Sequence, residues 1–351
     1  MIKDKSMKII AIVSGILTAL AMTIAILVSL PTPYEYSPEE AYSPTDPPAL
    51  EAPLPRTARA DGDVMVRVLL SGAVVEMSME QYLIGVVAAE MPVSFEFHAL
   101  KAQAVAARTD ALHKMHVSPR MQHPEAHVCG DFTCCVAFST DERMREKWGD
   151  NYNEHVSRIH SAVTATDGVF LAYSGEPILA VFHASSAGMT ETSGNVWMAD
   201  KPYLQSVESP ETQYVVPGFV SAMTVSVSDF IQTVSGTYPN AVFTDDEETW
   251  ITDMIYTESG RIAHLSLGGV QVSGTALRAM FDLRSTAVSI ALLDDEVVFT
   301  THGFGHGVGM SQHGANIMAQ NGKTYREILL AYYTGVEFVE PVAVIPQSIR
   351  S

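Results

Sequence analysis

Basic residues are scarce in this chain: 21 Lys and Arg stand against 40 Asp and Glu, a net charge of −19 at pH 7. So acidic a protein lacks the positive footprint that nucleic acid requires. Cysteine is equally sparse, with three in 351 residues, an odd number that leaves one thiol over if two pair. Ser185 and Ser186 lack a Gly-x-Ser-x-Gly elbow and no Ser or Cys is paired with a local base as a nucleophile, which leaves a serine hydrolase little support. The glycine-rich stretch near residue 305 has no Lys in phosphate-loop spacing, and there is no internal repeat.

Charge is missing altogether from Ile9 to Leu30. As a helix these 22 residues would be ~33 Å long, enough to span a bilayer core. Lys3, Lys5 and Lys8 precede them, which favours a cytoplasmic N-terminus (1–8), a transmembrane anchor (9–30) and export of the remainder. A cleaved signal peptide is the competing reading, but the run is long for one and Ser29-Leu30-Pro31 offers no small-x-small cleavage site. Residues 31–61 are rich in Pro, Glu, Ala, Ser and Thr and read as a semi-extended tether.

Beyond the tether, Val64 to Leu70 and Ala73 to Val75 read as a hairpin around Ser71-Gly72. A helix follows. Ser78 with Gln81 forms a capping box, Met77 with Tyr82 a hydrophobic staple, and Pro92 ends it. A second helix has Phe97, Leu100, Ala104, Ala107 and Ala111 on its buried face, with Ser94 as N-cap. Strands are expected at Val169 to Tyr173, Ile178 to Phe182, Met223 to Val227, Ile262 to Leu267 and Val297 to Thr300. Two short helices close the chain; Gly322 ends the first, and a Thr324/Glu327 capping box starts the second, which ends near Gly335.

The first helix carries an anomaly. Its stripe runs Met79, Tyr82, Leu83, Val86, Val87 and then Glu90, a carboxylate where a leucine belongs. A negative charge in the last turn opposes the helix dipole, and Val86, Val87, Met91 and Pro92 offer little hydration. Both effects raise the carboxyl pKa, as general-acid cleavage of a glycosidic bond requires. The bland alternative is a helix-end Glu bent into solvent.

All three cysteines lie within seven residues, in a run with histidines at 123 and 127. His123, Cys129, Cys134 and Cys135 can close around a tetrahedral, structural zinc, with His127 as a substitute for Cys134. A disulfide is the competing reading, although adjacent Cys134 and Cys135 rarely bond each other. Two further stretches combine glycine with polar side chains: Phe182-His183-Ala-Ser185-Ser186-Ala-Gly188, and the run from Thr301 to Gly314 holding His302, His306, Ser311, Gln312 and His313. Taken alone, each is an ordinary structural turn. Around an acid, these groups suit hydrogen bonding to sugar hydroxyls and N-acetyl groups.

Several strings together resemble one family, the stage II sporulation protein D family of bacterial peptidoglycan lytic transglycosylases. They are Tyr82 to Pro92 (YLIGVVAAEMP), Ala99 to Thr109 (ALKAQAVAART), Phe182-His183, Pro202 to Pro210 (PYLQSVESP) and Gly305 to Gln312 (GHGVGMSQ). The match covers most of the chain after about residue 64. The resemblance implies that Glu90 is the acid/base of an enzyme cutting the bond between N-acetylmuramic acid and N-acetylglucosamine without water, leaving a 1,6-anhydro ring. It also implies a zinc loop at His123, Cys129 and Cys135, a role in engulfment of the forespore, and a partner amidase, stage II sporulation protein P, that strips stem peptides first. The chain departs from the family pattern at Cys134, where the pattern implies a histidine ligand, and at His313, where an aromatic such as Tyr is usual.

The expectation is thus a mixed α/β (α+β) exported part, with a catalytic core at 62–215 and 292–340, a smaller β-rich domain inserted at 216–291, and a cleft joining Glu90 to residues 183–188 and 302–313. Substrate contacts are expected from His183, Ser185, Ser186, His306, Ser311 and Gln312. Glu96 is the nearest second carboxylate in sequence, but nothing places it across a cleft. Two other functions compete: a zinc hydrolase of peptide or amide bonds using His302 and His306, and a non-catalytic glycan-binding scaffold that recruits the amidase.

Overall fold

The structure is a computed structural model that describes residues 60–119, 122–197 and 199–341. The anchor at 9–30 and nearly all of the tether lie outside the described residues. Among the described residues no helix is long and apolar enough to cross a membrane.

Strands β1 (Met65–Leu70) and β2 (Ala73–Ser78) form the expected hairpin, in register from Met65↔Ser78 to Leu70↔Ala73. Ser71 and Gly72 both take positive φ, as a two-residue turn matched to strand twist requires. Ser78 ends β2 and caps helix α1 (Met79–Glu90), where its hydroxyl accepts the Gln81 N–H while Gln81 accepts the Ser78 N–H. Met79, Tyr82, Leu83, Val86 and Val87 are buried, so the apolar stripe points inward as the spacing requires.

Helix α2 (Phe97–His116) is the central element, buried from Ala102 through Met115. Its N-cap is Glu96 rather than Ser94, without a side-chain bond; the Phe95 N–H instead bonds Pro92 O in a turn between the helices. The small residues Ala102, Ala104, Ala106 and Ala107 let other elements pack closely around it. Next come β3 (Val128–Cys129), which joins β1 in parallel, and helices α3 (Asp141–Trp148) and α4 (Tyr152–Thr164).

Strand β4 (Phe170–Tyr173) pairs with β5 (Glu176–Pro177), and β6 (Phe182–His183) is only two residues long. The expected strand over 178–182 is therefore mostly irregular. Its backbone groups bond elsewhere: Leu179 N–H donates to the Tyr203 hydroxyl, and Val181 O accepts from the Tyr333 hydroxyl. A single helical turn, α5 (Ser193–Val196), follows.

The next stretch builds two sheets around helices α6 (Val227–Thr237) and α7 (Gly274–Met280). One sheet holds β8 (Ile251–Tyr256), β9 (Ile262–Leu267) and β10 (Val270–Ser273). The other holds β7 (Val220–Ser226), β11 (Val288–Leu293) and β12 (Glu296–His302), with β12 central. Strand β9 matches its expected span, whereas Val227 leaves β7 to begin α6 because Ser226 caps that helix. Phe230, Leu265, Leu277, Phe281, Val297 and Phe299 pack together here, in a cluster separate from the larger one around α1 and α2.

The chain returns through β13 (Met310–Ser311), parallel to β6, and ends with α8 (Gln312–Gln320), α9 (Tyr325–Tyr332) and β14 (Glu337–Val339), which pairs with β4. The Thr324/Glu327 capping box forms as read. The protein is a mixed α/β structure of several small sheets and short helices around α2.

Asp61, read as the last residue of the tether, is buried. Its carboxylate accepts from Arg108 Nε at 2.6 Å and Nη2 at 2.5 Å, and from the Gly168 N–H at 3.3 Å. Folded packing therefore already includes residue 61, because a buried guanidinium in α2 needs a carboxylate partner.

Candidate active site

Glu90 closes α1 half-buried, not in bulk solvent. Its Oε1 accepts the Ala137 N–H at 2.9 Å and its Oε2 accepts Gln312 Nε2 at 3.0 Å. Burial pushes the carboxyl pKa up, the Gln312 and Ala137 donors pull it back, and burial wins. Gln312 is the first residue of α8, and its amide also lies 3.5 Å from Gln103 Oε1 in α2. Two acceptors facing one nitrogen fix the amide with NH2 toward Glu90. The Ala137 and Gln103 contributions have no sequence signal: a backbone N–H is available at every non-proline residue, and Gln103 reads as one polar position on a helix.

Ala137 sits just beyond the cysteines, and that segment is locked onto α1. Ser139 N–H donates to Gly85 O at 3.0 Å, and the Phe138 ring stacks on Tyr82 with centroids 6.0 Å apart. A Cβ at Gly85 would overlap the Phe138 ring. Glycine inside α1 thus makes room for the residue that follows Ala137.

The donor atoms of His123, Cys129, Cys134 and Cys135 all lie within 4.8 Å of one another, with His123 Nε2 3.4 Å and Cys134 Sγ 4.0 Å from Cys135 Sγ. Tetrahedral thiolates around zinc sit about 3.8 Å apart, so the set fits that ion. His123 Nδ1 donates to Ala126 O at 3.2 Å, leaving the Nε2 lone pair facing the thiols. His127, the alternative ligand, instead uses Nδ1 to accept the Arg67 N–H at 3.1 Å. Among the described residues no disulfide joins Cys129, Cys134 or Cys135. Burial pushes the Cys129 thiol up to about 12, so a thiolate there needs a cationic partner.

The glycine-rich run from 303 to 309 packs against the 181–186 segment. Gly307 and Gly309 have φ of 81° and 71°, and a Cβ would overlap the Arg261 guanidinium at the first and Val181 O at the second. These glycines serve close backbone approach rather than phosphate binding.

The structure brings the remaining expected site residues together but turns their polar groups inward. His183 is 4% exposed and donates from Nδ1 to Val308 O; Ser185 donates to Ser186 O, and Ser186 to Met189 O. Ser311 is fully buried and donates to Glu211. The hydroxyl protons of Ser185, Ser186 and Ser311 are thus used inside the fold, which leaves these oxygens to act as acceptors. His306 lies between His183 and Trp197, with ring centroids at 5.6 and 5.1 Å. Burial drives the His183 pKa well below its usual value, and burial with the Arg278 charge pushes His306 down to about 4, so both rings are neutral at pH 7. His302 packs against Phe219 instead. Among the described residues the only group of three or more metal-competent side chains is the one at residues 123–135, so His302 and His306 lack the ligand set that a zinc hydrolase needs.

Fold and site define a class: a mixed α/β protein built on one half-buried carboxylate, braced by a backbone N–H and a glutamine amide, with a thiol–imidazole loop leading into the segment that supplies the N–H. Comparison with known proteins gives that class a family. The family described as Stage II sporulation protein matches residues 71–173. Stage II sporulation protein D of Bacillus amyloliquefaciens is 34% identical over 268 residues, 76% of either chain, and the protein of that name from Bacillus subtilis (strain 168) aligns to the same extent. A more distant relative, the Amidase enhancer of Bacillus subtilis (strain 168), is 27% identical over 72% of this chain and 39% of its own length. The chain belongs to the stage II sporulation protein D family.

Proposed function

We propose that this sporulation protein is a membrane-anchored lytic transglycosylase that cuts the MurNAc–GlcNAc bond of peptidoglycan strands during engulfment. The observation that carries this reading is the environment of Glu90. Desolvation raises the pKa of its carboxyl, which favours the protonated acid, and two donors steady the carboxylate once that proton has gone. The acid protonates the glycosidic oxygen as the C1–O bond breaks. The resulting carboxylate then takes the proton from the muramoyl C6 hydroxyl while O6 bonds C1, closing the 1,6-anhydro ring and restoring the acid. A conventional glycosidase needs a second carboxyl facing the sugar. Glu96 is exposed beyond the turn after α1, and Glu211 is 3% exposed, with its partners inside the fold.

His123, Cys129, Cys134 and Cys135 would hold a structural zinc with no open position for water. Bound there, the ion would stiffen the loop that carries Ala137 to Glu90. The uncharged run at 9–30 would place the folded part outside the membrane, N-terminus cytoplasmic. The substrate would be glycan already stripped of stem peptides, and the partner a sporulation amidase, stage II sporulation protein P.

Mass spectrometry of purified glycan strands tests the reaction. The wild-type protein should leave anhydromuramic ends, and Glu90→Gln, which keeps size but cannot supply the proton, should leave them at background while folding survives. Ordinary reducing ends from the wild type would overturn the mechanism. The name of the Amidase enhancer relative favours a second reading, a scaffold that binds glycan and recruits the amidase; that reading requires no new ends of any kind.

A further inference from the structure

Glu211 is a buried carboxylate with no part in the sequence reading, one residue beyond the Pro202 to Pro210 string. It is 3% exposed, and its Oε1 accepts the Ser186 N–H at 2.8 Å and, in a short hydrogen bond, the Ser311 hydroxyl. Ser311 gives its only hydroxyl proton to Glu211. Its lone pairs are then free to accept the Gly314 N–H at 3.2 Å, which makes Ser311 the N-cap of α8. The next residue is Gln312, whose amide donates to Glu90.

The other Glu211 oxygen is buried and has no hydrogen-bond partner. A Cβ at Gly314 would meet the Tyr332 hydroxyl, Ser209 Oγ at 2.6 Å and Glu211 Oε2 at 2.9 Å, and Ser209 and Tyr332 are themselves bonded at 2.6 Å. A carboxylate enclosed in this way cannot reach an anomeric carbon. It can hold a hydroxyl in one rotamer, and a negative charge before the first turn of α8 complements the helix dipole.

We propose that Glu211 is a positioning residue for Glu90: through Ser311 and the first turn of α8 it aims the Gln312 amide at the acid. This rests on the reading of Glu90 as the acid. The chain of contacts runs from Glu211 to Ser311 Oγ, along the backbone to Gln312, and from its Nε2 to Glu90 Oε2, linking the 186–211 region to α1 across the start of one helix.

The test uses the full-length protein and purified glycan strands, with kcat and KM measured for anhydromuramic product. Glu211→Ala should lower kcat by ~10- to 100-fold, the scale of loss from a small misplacement near reacting groups, with KM changed less than about twofold. Glu211→Gln keeps an oxygen that can accept from Ser186 and Ser311 and should recover most of that loss. Because the proposed effect passes through Gln312, Glu211→Ala added to Gln312→Ala should cost nothing further. Multiplying losses in the double variant, a rise in KM alone, or an unchanged kcat in Glu211→Ala would each overturn the proposal. If Glu211→Ala does not fold, Ser311→Ala replaces it in the same cycle with the same expectations. The Gln312 side-chain amide resonance, followed by NMR, should move in Glu211→Ala whether or not the protein cleaves glycan. A wild type without anhydro ends but with that shift would sink the transglycosylase reading and keep the positioning link; an unmoved resonance would sink the link alone.

Discussion

At residue 90, burial and hydrogen bonding pull in opposite directions. Desolvation favours the protonated carboxyl, and the Gln312 and Ala137 donors favour the carboxylate. If the resting enzyme needs the protonated form, activity falls as pH rises through the Glu90 pKa. Gln312→Ala removes a donor to the carboxylate, so that pKa should rise further and the alkaline limb of the pH–rate profile should move to higher pH while kcat drops. An unmoved or downward-shifted limb would show that Gln312 does not tune the acid. The ionisation also bears on stability. A folded-state pKa above the unfolded value means that the unfolded chain loses its proton first, so this group's contribution to stability falls as pH rises through that window. The sequence identified the misplaced carboxylate from spacing alone. It was silent on both donors, because they come from positions 47 and 222 residues away.

Among the elements, the segment from His123 to Ser139 joins the metal-competent cluster to the acid. Its C-terminal end is held by the Ser139–Gly85 bond and by Phe138 against Tyr82. Gly85→Ala should displace Phe138, costing about 1–3 kcal/mol as overpacking does, and it should lower glycan cleavage by withdrawing Ala137. Denaturant melts and product assays on the same variant check the two effects together. Zinc removal makes a separate prediction. Chelation should lower the melting temperature and expose the 123–135 loop to protease, whereas a catalytic metal would give lost activity with an unchanged melt. Capping boxes made the starts of α1 and α9 readable, because a cap is a local motif. The start of α2 and the stretch at 178–182 carry no such local motif, since their backbone groups are satisfied by a turn and by distant tyrosines rather than by neighbours in sequence.

Across the whole molecule, the first described residues are tied to the centre by Asp61 and Arg108, with side chains 4% and 1% exposed. Asp61→Ala leaves a buried guanidinium uncompensated and should cost about 3–5 kcal/mol. Thermal unfolding of the full chain in detergent checks this. A loss below about 1 kcal/mol, the surface-pair range, would mean that the pair is exposed to water in solution. The hydroxyls of Thr257 and Ser259, from the turn between β8 and β9, both donate to Glu191 at 2.6 Å. Glu191 thus joins the β8–β9 turn to Gly307, whose carbonyl accepts the Glu191 N–H at 2.7 Å.

Local rules, acting within a few residues, were enough to determine the hairpin, the caps, the apolar stripe of α1 with its one carboxylate, and the crowding of three thiols and a histidine into one loop. Tertiary structure alone decided what those groups face. It gave Glu90 its amide and N–H donors, turned Ser185, Ser186 and Ser311 inward, grouped Cys134 with His123, Cys129 and Cys135, and placed Glu211 against Ser311. The reason is that burial and hydrogen-bond partners are properties of segments meeting in space, and here the segments that meet at residue 90 are separated by up to 222 positions.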